Sequence, residues 1–182
     1  MGSYFPGMDE RRTGAARFEV RAAQPEDADR IASVLHAAFE AFRPQYTDAA
    51  FDATVLDEPR IRERLRQGPG WLAIKNGVPV GTVSAVLTPH GLYVRGMAVI
   101  APARGHGIGT ALLNQVERFA VAARAPRVFL STTPFLDAAI ALYERCGFVR
   151  CSDPPHALHG TPLFTMQKAL VATGAWRPPP KT

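Results

Sequence analysis

The 182-residue chain holds only two cysteines, Cys146 and Cys151, five positions apart. That spacing makes neither a disulfide framework nor a CxxC metal or redox pair, so two reduced thiols without a chemical task are expected. Long apolar runs are also missing. Every apolar stretch is short and broken by Arg, Pro or Gly, below the roughly 18 residues that a membrane span needs. Residues 1–16 (MGSYFPGMDERRTGAA) lack the apolar stretch of a signal peptide. The expectation is a cytoplasmic protein with no membrane partner. Lysine is scarce: all but Lys75, Lys168 and Lys181 of the 21 basic residues are Arg. The formal charge of +5 is a modest, scattered excess, and aromatics make up 9%. Such a pattern suits an anionic ligand. It lacks the basic patch or stripe of a nucleic-acid-binding protein, so no nucleic-acid partner is expected.

What the chain does have is 47% apolar residues, enough at this length for one core without a metal or a disulfide. Residues 1–16 and the proline-rich stretch 172–182 read as flexible tails around one domain at 17–171. Phe18, Val20 and Ala22 alternate with polar residues, which predicts a strand. Pro25, Glu26 and Asp27 open a helix whose apolar stripe is Ile31, Val34, Leu35, Ala38, Phe39 and Phe42. Residues 57–67 predict a weaker helix with Ile61 and Leu65 inward and Arg60, Arg62, Arg64 and Arg66 on a solvated face. Strands follow at 71–75 and 78–88, joined by a tight turn, and at Leu92 to Ile100. A long amphipathic helix runs from Gly107 to the stop at Ala125-Pro126. Then come a buried strand at Val128 to Leu130, a helix at Phe135 to Cys146, a short strand at Phe148 to Arg150, a Pro/His loop and a last strand from Leu163 to Ala169. The order predicts an α/β or α+β sandwich with helices covering a sheet.

The stretch Val99-Ile100-Ala101-Pro102-Ala103-Arg104-Gly105-His106-Gly107-Ile108-Gly109-Thr110 joins a buried strand directly to the start of the long helix. Three glycines at alternate positions let backbone amides crowd toward one point, and a helix start carries unpaired N–H groups and partial positive charge. The turn is built to receive an anion such as a pyrophosphate. The dinucleotide spacing GxGxxG fails because Leu112 follows Gly107 and Gly109, and the P-loop fails because no Lys precedes Thr110.

Arg104-Gly105-His106-Gly107-Ile108-Gly109 resembles the (Gln/Arg)-x-x-Gly-x-(Gly/Ala) acyl-CoA signature of the GNAT superfamily of N-acetyltransferases. The stretch Ala139-Ile140-Ala141-Leu142-Tyr143-Glu144-Arg145-Cys146-Gly147-Phe148 is similar to the family's Ala-x-x-Leu-Tyr-x-x-x-Gly-Phe segment. The resemblance implies a single-domain sandwich with a mixed, mostly antiparallel central sheet and helices on both faces. It also implies acetyl-CoA as cosubstrate and no metal. The strand before the signature would splay from its neighbour, leaving backbone groups of Met97, Ala98 and Val99 for the pantetheine arm. The amides of Arg104, Gly105, His106, Gly107, Ile108, Gly109 and Thr110 would hold the pyrophosphate, and Tyr143 would protonate the departing thiolate.

Two positions depart from the family pattern. Leu136 stands where many members have a cofactor-contacting Asn, and Leu92-Tyr93-Val94-Arg95-Gly96-Met97-Ala98-Val99 carries no acid to serve as base. Glu40, Asp48, His90, His156 and His159 are the other candidates for that role. His156 and His159 also form a His-x-x-His pair, but with no third ligand in view no metal site is expected. Arg60, Arg62, Arg64 and Arg66 are expected on a solvated face, the alternative being that they face an acidic acceptor. The function implied is acetyl transfer to a primary amine of a small molecule or peptide by direct attack in a ternary complex. The alternative is a non-catalytic acyl-CoA-binding sensor or regulatory module of the same fold. A homodimer is left open.

Overall fold

The computed structural model describes residues 18–170, so both expected tails, together with Arg17 and Val171, lie outside the described residues. The elements in chain order are β1 (Phe18–Ala22), α1 (Ala28–Phe39), α2 (Asp48–Thr54), α3 (Glu58–Gln67), β2 (Gly70–Lys75), β3 (Val78–Thr88), β4 (Gly91–Val99), α4 (Ile108–Ala122), β5 (Arg127–Thr132), α5 (Asp137–Arg145), β6 (Val149–Arg150), β7 (His156–Leu158) and β8 (Thr161–Ala169). One sheet runs β1-β2-β3-β4-β5-β8-β6, with β7 paired to the start of β8. All its pairings are antiparallel except β4 with β5. The expected mixed, mostly antiparallel sheet is what forms.

Alternation along β2 explains the two layers. Leu72 packs with Ile31, Leu35, Phe39 and Ile61 under α1 and α3, while Trp71 and Ala73 pack with Leu112, Leu113 and Val116 of α4. Each large apolar side chain closed off on these stripes contributes about 1.5–3 kcal/mol. On the α4 face the sheet must come close: a Cβ on Gly81 would stand 3.1 Å from both Ile108 and Leu112. A bidentate ion pair ties β1 to the start of α1. The Arg21 guanidinium donates to both oxygens of Asp27 at 2.7 Å, and the Gln24 N–H donates to the same carboxylate at 2.8 Å.

The first helix is shorter than its apolar stripe predicts. A 3-10 turn (Pro25–Asp27) precedes it, and the α-helix ends at Phe39, passing into a second 3-10 turn (Glu40–Gln45) that contains Pro44. A proline removes one helical donor and disfavours the α conformation just before it, so the turns tighten. Phe42 therefore leaves the core stripe and reaches the cleft described below. Two elements were not expected: α2, capped by Thr47 Oγ1 accepting from the Ala50 N–H, and β7, which forms within the expected Pro/His loop.

Candidate active site

The sheet opens in its middle. β4 and β5 pair only from Leu92, Tyr93 and Val94 to Val128, Phe129 and Leu130. Beyond that point β4 stays with β3 as far as Val99, and β5 stays with β8 as far as Thr132. The parting coincides with a bulge: Ser84 pairs with Arg95 but Thr82 pairs with Ala98, so β4 carries one extra residue, and Gly96 adopts φ +61° to make the kink. The gap is part of a cleft of about 910 Å³ that runs from the end of α1 to the start of α4. Met97, Ala98 and Val99 all line it. The Ala98 carbonyl is turned to β3, 3.2 Å from where a Gly81 Cβ would stand. Alternation turns the Val99 carbonyl the other way, where it accepts from Arg104 Nε at 3.1 Å. Of the three expected strand residues, Ala98 thus directs its carbonyl back into the sheet.

The glycine turn forms the cleft's second end. Gly105 and Gly107 both take φ +79°, and Gly107 is the N-cap of α4. A Cβ on either would meet nothing within 4 Å, so their outer face is open. Gly109 is different: a Cβ there would stand 2.6 Å from Leu142 of α5, so this glycine serves helix packing. No acid occupies the first turn of α4, which leaves its positive end unopposed. Arg104 lines the cleft, but its guanidinium clasps the chain, donating to the Val99 and Ala38 carbonyls. The His106 ring turns back onto the Arg104 carbonyl, 2.9 Å from Nδ1, and is not a lining residue. The Ile108 side chain is in the core, whereas Thr110 is exposed on the cleft.

At the end where β4 and β5 part, side chains from distant segments meet. Tyr143 of α5 is buried against Phe148, ring centroids 5.9 Å apart. Its hydroxyl has no hydrogen-bond partner among the described residues, and it lines the cleft. Burial pushes this phenol well above its ordinary range, and the nearby phenols of Tyr46 and Tyr93 add to the push. Tyr46 stands edge-on to Phe135 at 5.0 Å, and burial pushes its phenol up as well. Thr133 is buried on the same wall, beside the Tyr46 phenol, whose upward push it partly offsets. Leu136 supplies an apolar wall where the family's Asn would stand.

Nothing in the sequence singles out Tyr46, Tyr93 or Thr133, because only the fold brings the turn before α2, strand β4 and the turn after β5 together. Arg64 is a correction. Arg60, Arg62 and Arg66 do sit on the solvated face, paired with Asp57, Glu58 and Glu63, but Arg64 points into the cleft. None of the five candidate bases lines the cleft. Glu40 lies 3.4 Å from His36, Asp48 pairs with Arg43, and the His90 and His159 carbonyls accept from Arg127 and Thr47. His156 alone touches a lining residue, its Nε2 3.2 Å from Ser131 Oγ. Both cysteines are free thiols, and Cys146 packs against the core rather than lining the cleft. Among the described residues, no cluster of metal-ligating side chains occurs and no helix is long and apolar enough to cross a membrane.

Comparison with known proteins gives this geometry a family. An acetyltransferase of the GNAT family from Streptococcus pneumoniae matches with a TM-score of 0.68 at 20% identity, over 85% of this chain and 100% of its own. The paia N-acetyltransferase from Thermoplasma acidophilum, solved in complex with coenzyme A, gives 0.72 at 13% identity, over 85% and 99% of the two chains. A third, yncA from Salmonella typhimurium, solved with its cofactor acetyl-CoA, gives 0.69 at 20% identity, over 87% and 96%. The sequence profile described as the Acetyltransferase (GNAT) family matches residues 31–148, from the first turn of α1 to the residue before β6. That range holds the parted strands, the glycine turn and Tyr143, so the chain belongs to the GNAT family of acetyltransferases and is an N-acetyltransferase.

Proposed function

We propose that the protein moves an acetyl group from acetyl-CoA to a primary amine of a small molecule or peptide by direct attack in a ternary complex. The observation that carries this reading is the parting of β4 and β5 beside an open glycine turn. The Val99 N–H, on the same side as its carbonyl, points away from β3 and can pair with a pantetheine amide as a neighbouring strand would. A backbone N–H of the bulged segment next to it polarises the thioester carbonyl, an oxyanion donor fixed before the reaction begins. The amides from Gly105 to Thr110 and the positive end of α4 hold the pyrophosphate. The residues present fit acetyl-CoA without a metal.

The neutral amine attacks the carbonyl carbon, forming C–N as C–S breaks. Tyr143, kept protonated by burial, gives its proton to the sulfur and is restored from solvent. The proton left on the amine nitrogen passes to Ser131 Oγ and from there to His156 Nε2, the one candidate base within reach of the cleft. No lining cysteine competes as a nucleophile, which supports direct attack over a covalent acyl-enzyme.

Acetyl-CoA at about 100 times its Kd should stabilise the fold by about 2.7 kcal/mol, measured as a rise in Tm. Gly107→Val puts a β-branched side chain at φ +79° on the open face where the pyrophosphate approaches. A folded Gly107→Val protein that keeps the full rise overturns the placement. Thiol release from acetyl-CoA with a panel of amines then separates turnover from mere binding.

A further inference from the structure

Arg64 and Arg95 meet where the strands part. Arg64 Nη1 lies 2.7 Å from where a Gly96 Cβ would stand, and Arg95 Nη2 donates to the Arg64 carbonyl at 3.3 Å. Each guanidinium carries five N–H donors, yet that one bond is the only one either donates to a described residue. Neither has a carboxylate partner among the described residues, unlike the other three arginines of α3. Arg95 Nε is buried with no partner at all. Burial pushes Arg64 down to about 10, with the Arg95 charge adding to it. The described acid among the lining residues is Asp137, at the start of α5 rather than on this wall.

Two like charges held together in a half-dry cleft repel each other and lose hydration, and an anion bound between them would offset both costs. The cleft around them presents Tyr93 and Thr54. The distance to the reacting end is short: Met97 lies two residues from Arg95 along β4, about 7 Å.

We infer that Arg64 and Arg95 recognise a carboxylate on the acceptor, so the acceptor is an amine of amino-acid size that carries its own carboxylate. The inference rests on the acetyltransferase reading of the same cleft and narrows its substrate. A planar guanidinium fork matches a carboxylate with two parallel hydrogen bonds. A dianionic phosphate would lose more hydration on entering the half-dry cleft beside Arg95 Nε.

The test is thiol release from acetyl-CoA with free amino acids, their carboxamides and phosphoethanolamine, on the wild type and on Arg64→Met and Arg95→Met, which keep the apolar stem. The expected result is at least one amino acid with kcat/KM ten or more times that of its carboxamide. In each variant that ratio falls to within about twofold of one, chiefly through KM. Because each variant removes an unmatched charge, its Tm without ligand holds or rises. Carboxamides or phosphoethanolamine turned over as well as the acids would overturn the inference while leaving acetyl transfer standing. So would variants that keep the preference, variants whose Tm falls by more than about 5 °C, or a panel in which no amino acid reacts. Failure of the acetyl-CoA Tm rise in the wild type would instead remove the acetyltransferase reading beneath it.

Discussion

At the scale of single residues, Tyr143 carries the sharpest expectation. Its ring packs on Phe148 and its hydroxyl has no partner among the described residues, so Tyr143→Phe removes the acid while leaving the contacts of the stripe in place. Burial holds the phenol protonated through the working pH range, the state a proton donor needs. A coenzyme A thiolate is already a tolerable leaving group, so the acid works at the low end of the usual range. Turnover should fall about 10²-fold, or about 2.7 kcal/mol of transition-state stabilisation, with Tm and the acetyl-CoA Kd nearly unchanged. Steady-state kinetics with a Tm scan checks this, and unchanged turnover would reduce Tyr143 to packing. Tyr143 was legible in the sequence because its motif is local, a fixed spacing before Gly147-Phe148. Arg64 was legible only by its spacing: alone of the four arginines of α3 it has no acid three or four residues away, whereas Arg60, Arg62 and Arg66 have Asp57, Glu58 and Glu63. That its guanidinium turns into the cleft follows only once the helix is docked.

At the scale of elements, β4 does the positioning, and its bulge is the part the sequence hid. The apolar pattern from Leu92 to Ile100 predicts a continuous strand, and the extra residue at Gly96 appears only in the register against β3. Gly96→Ala would force a Cβ into φ +61°, a left-handed conformation that costs about 1–2 kcal/mol for a non-glycine residue. The Arg64 guanidinium that the Cβ would meet is the far end of a flexible chain and can shift, so most of the loss is the backbone's. The displaced Arg64 should nonetheless weaken acceptor binding. Urea denaturation and acceptor KM together test this, and full stability with unchanged KM would refute it. The other differences have equally local causes. Pro44 cut the first helix short, α2 has seven residues and so too few turns for a readable period, and β7 is a three-residue edge strand whose pairing rests on β8.

At the scale of the whole molecule, pH acts on stability and on rate through different groups. The Arg21 guanidinium, with the Gln24 N–H, holds the Asp27 carboxyl below its usual range despite burial. A depressed folded-state pKa contributes stability above the unfolded value of about 4 and loses it as pH falls through the folded one. Arg21 is partly exposed, so Asp27→Asn should cost about 1–2 kcal/mol at pH 7, a Tm drop of several degrees, and nearly nothing at pH 2. An equal drop at both pH values would mean that packing, not charge, ties β1 to α1. For the reaction, no acid or imidazole among the described residues lines the acceptor end, so the acceptor's own amine sets the pH profile. In kcat/KM the free amine titrates, and since only its neutral form attacks, the value should climb about tenfold per pH unit toward roughly 10. A proton relay through Ser131 to His156 makes both side chains matter to kcat, which reports the ternary complex. His156→Gln and Ser131→Ala should each lower kcat by up to about 10²-fold, leaving the slope of kcat/KM unchanged. If kcat is unchanged in both variants, water takes the amine proton directly, and the cleft needs from the protein only the oxyanion donor and Tyr143.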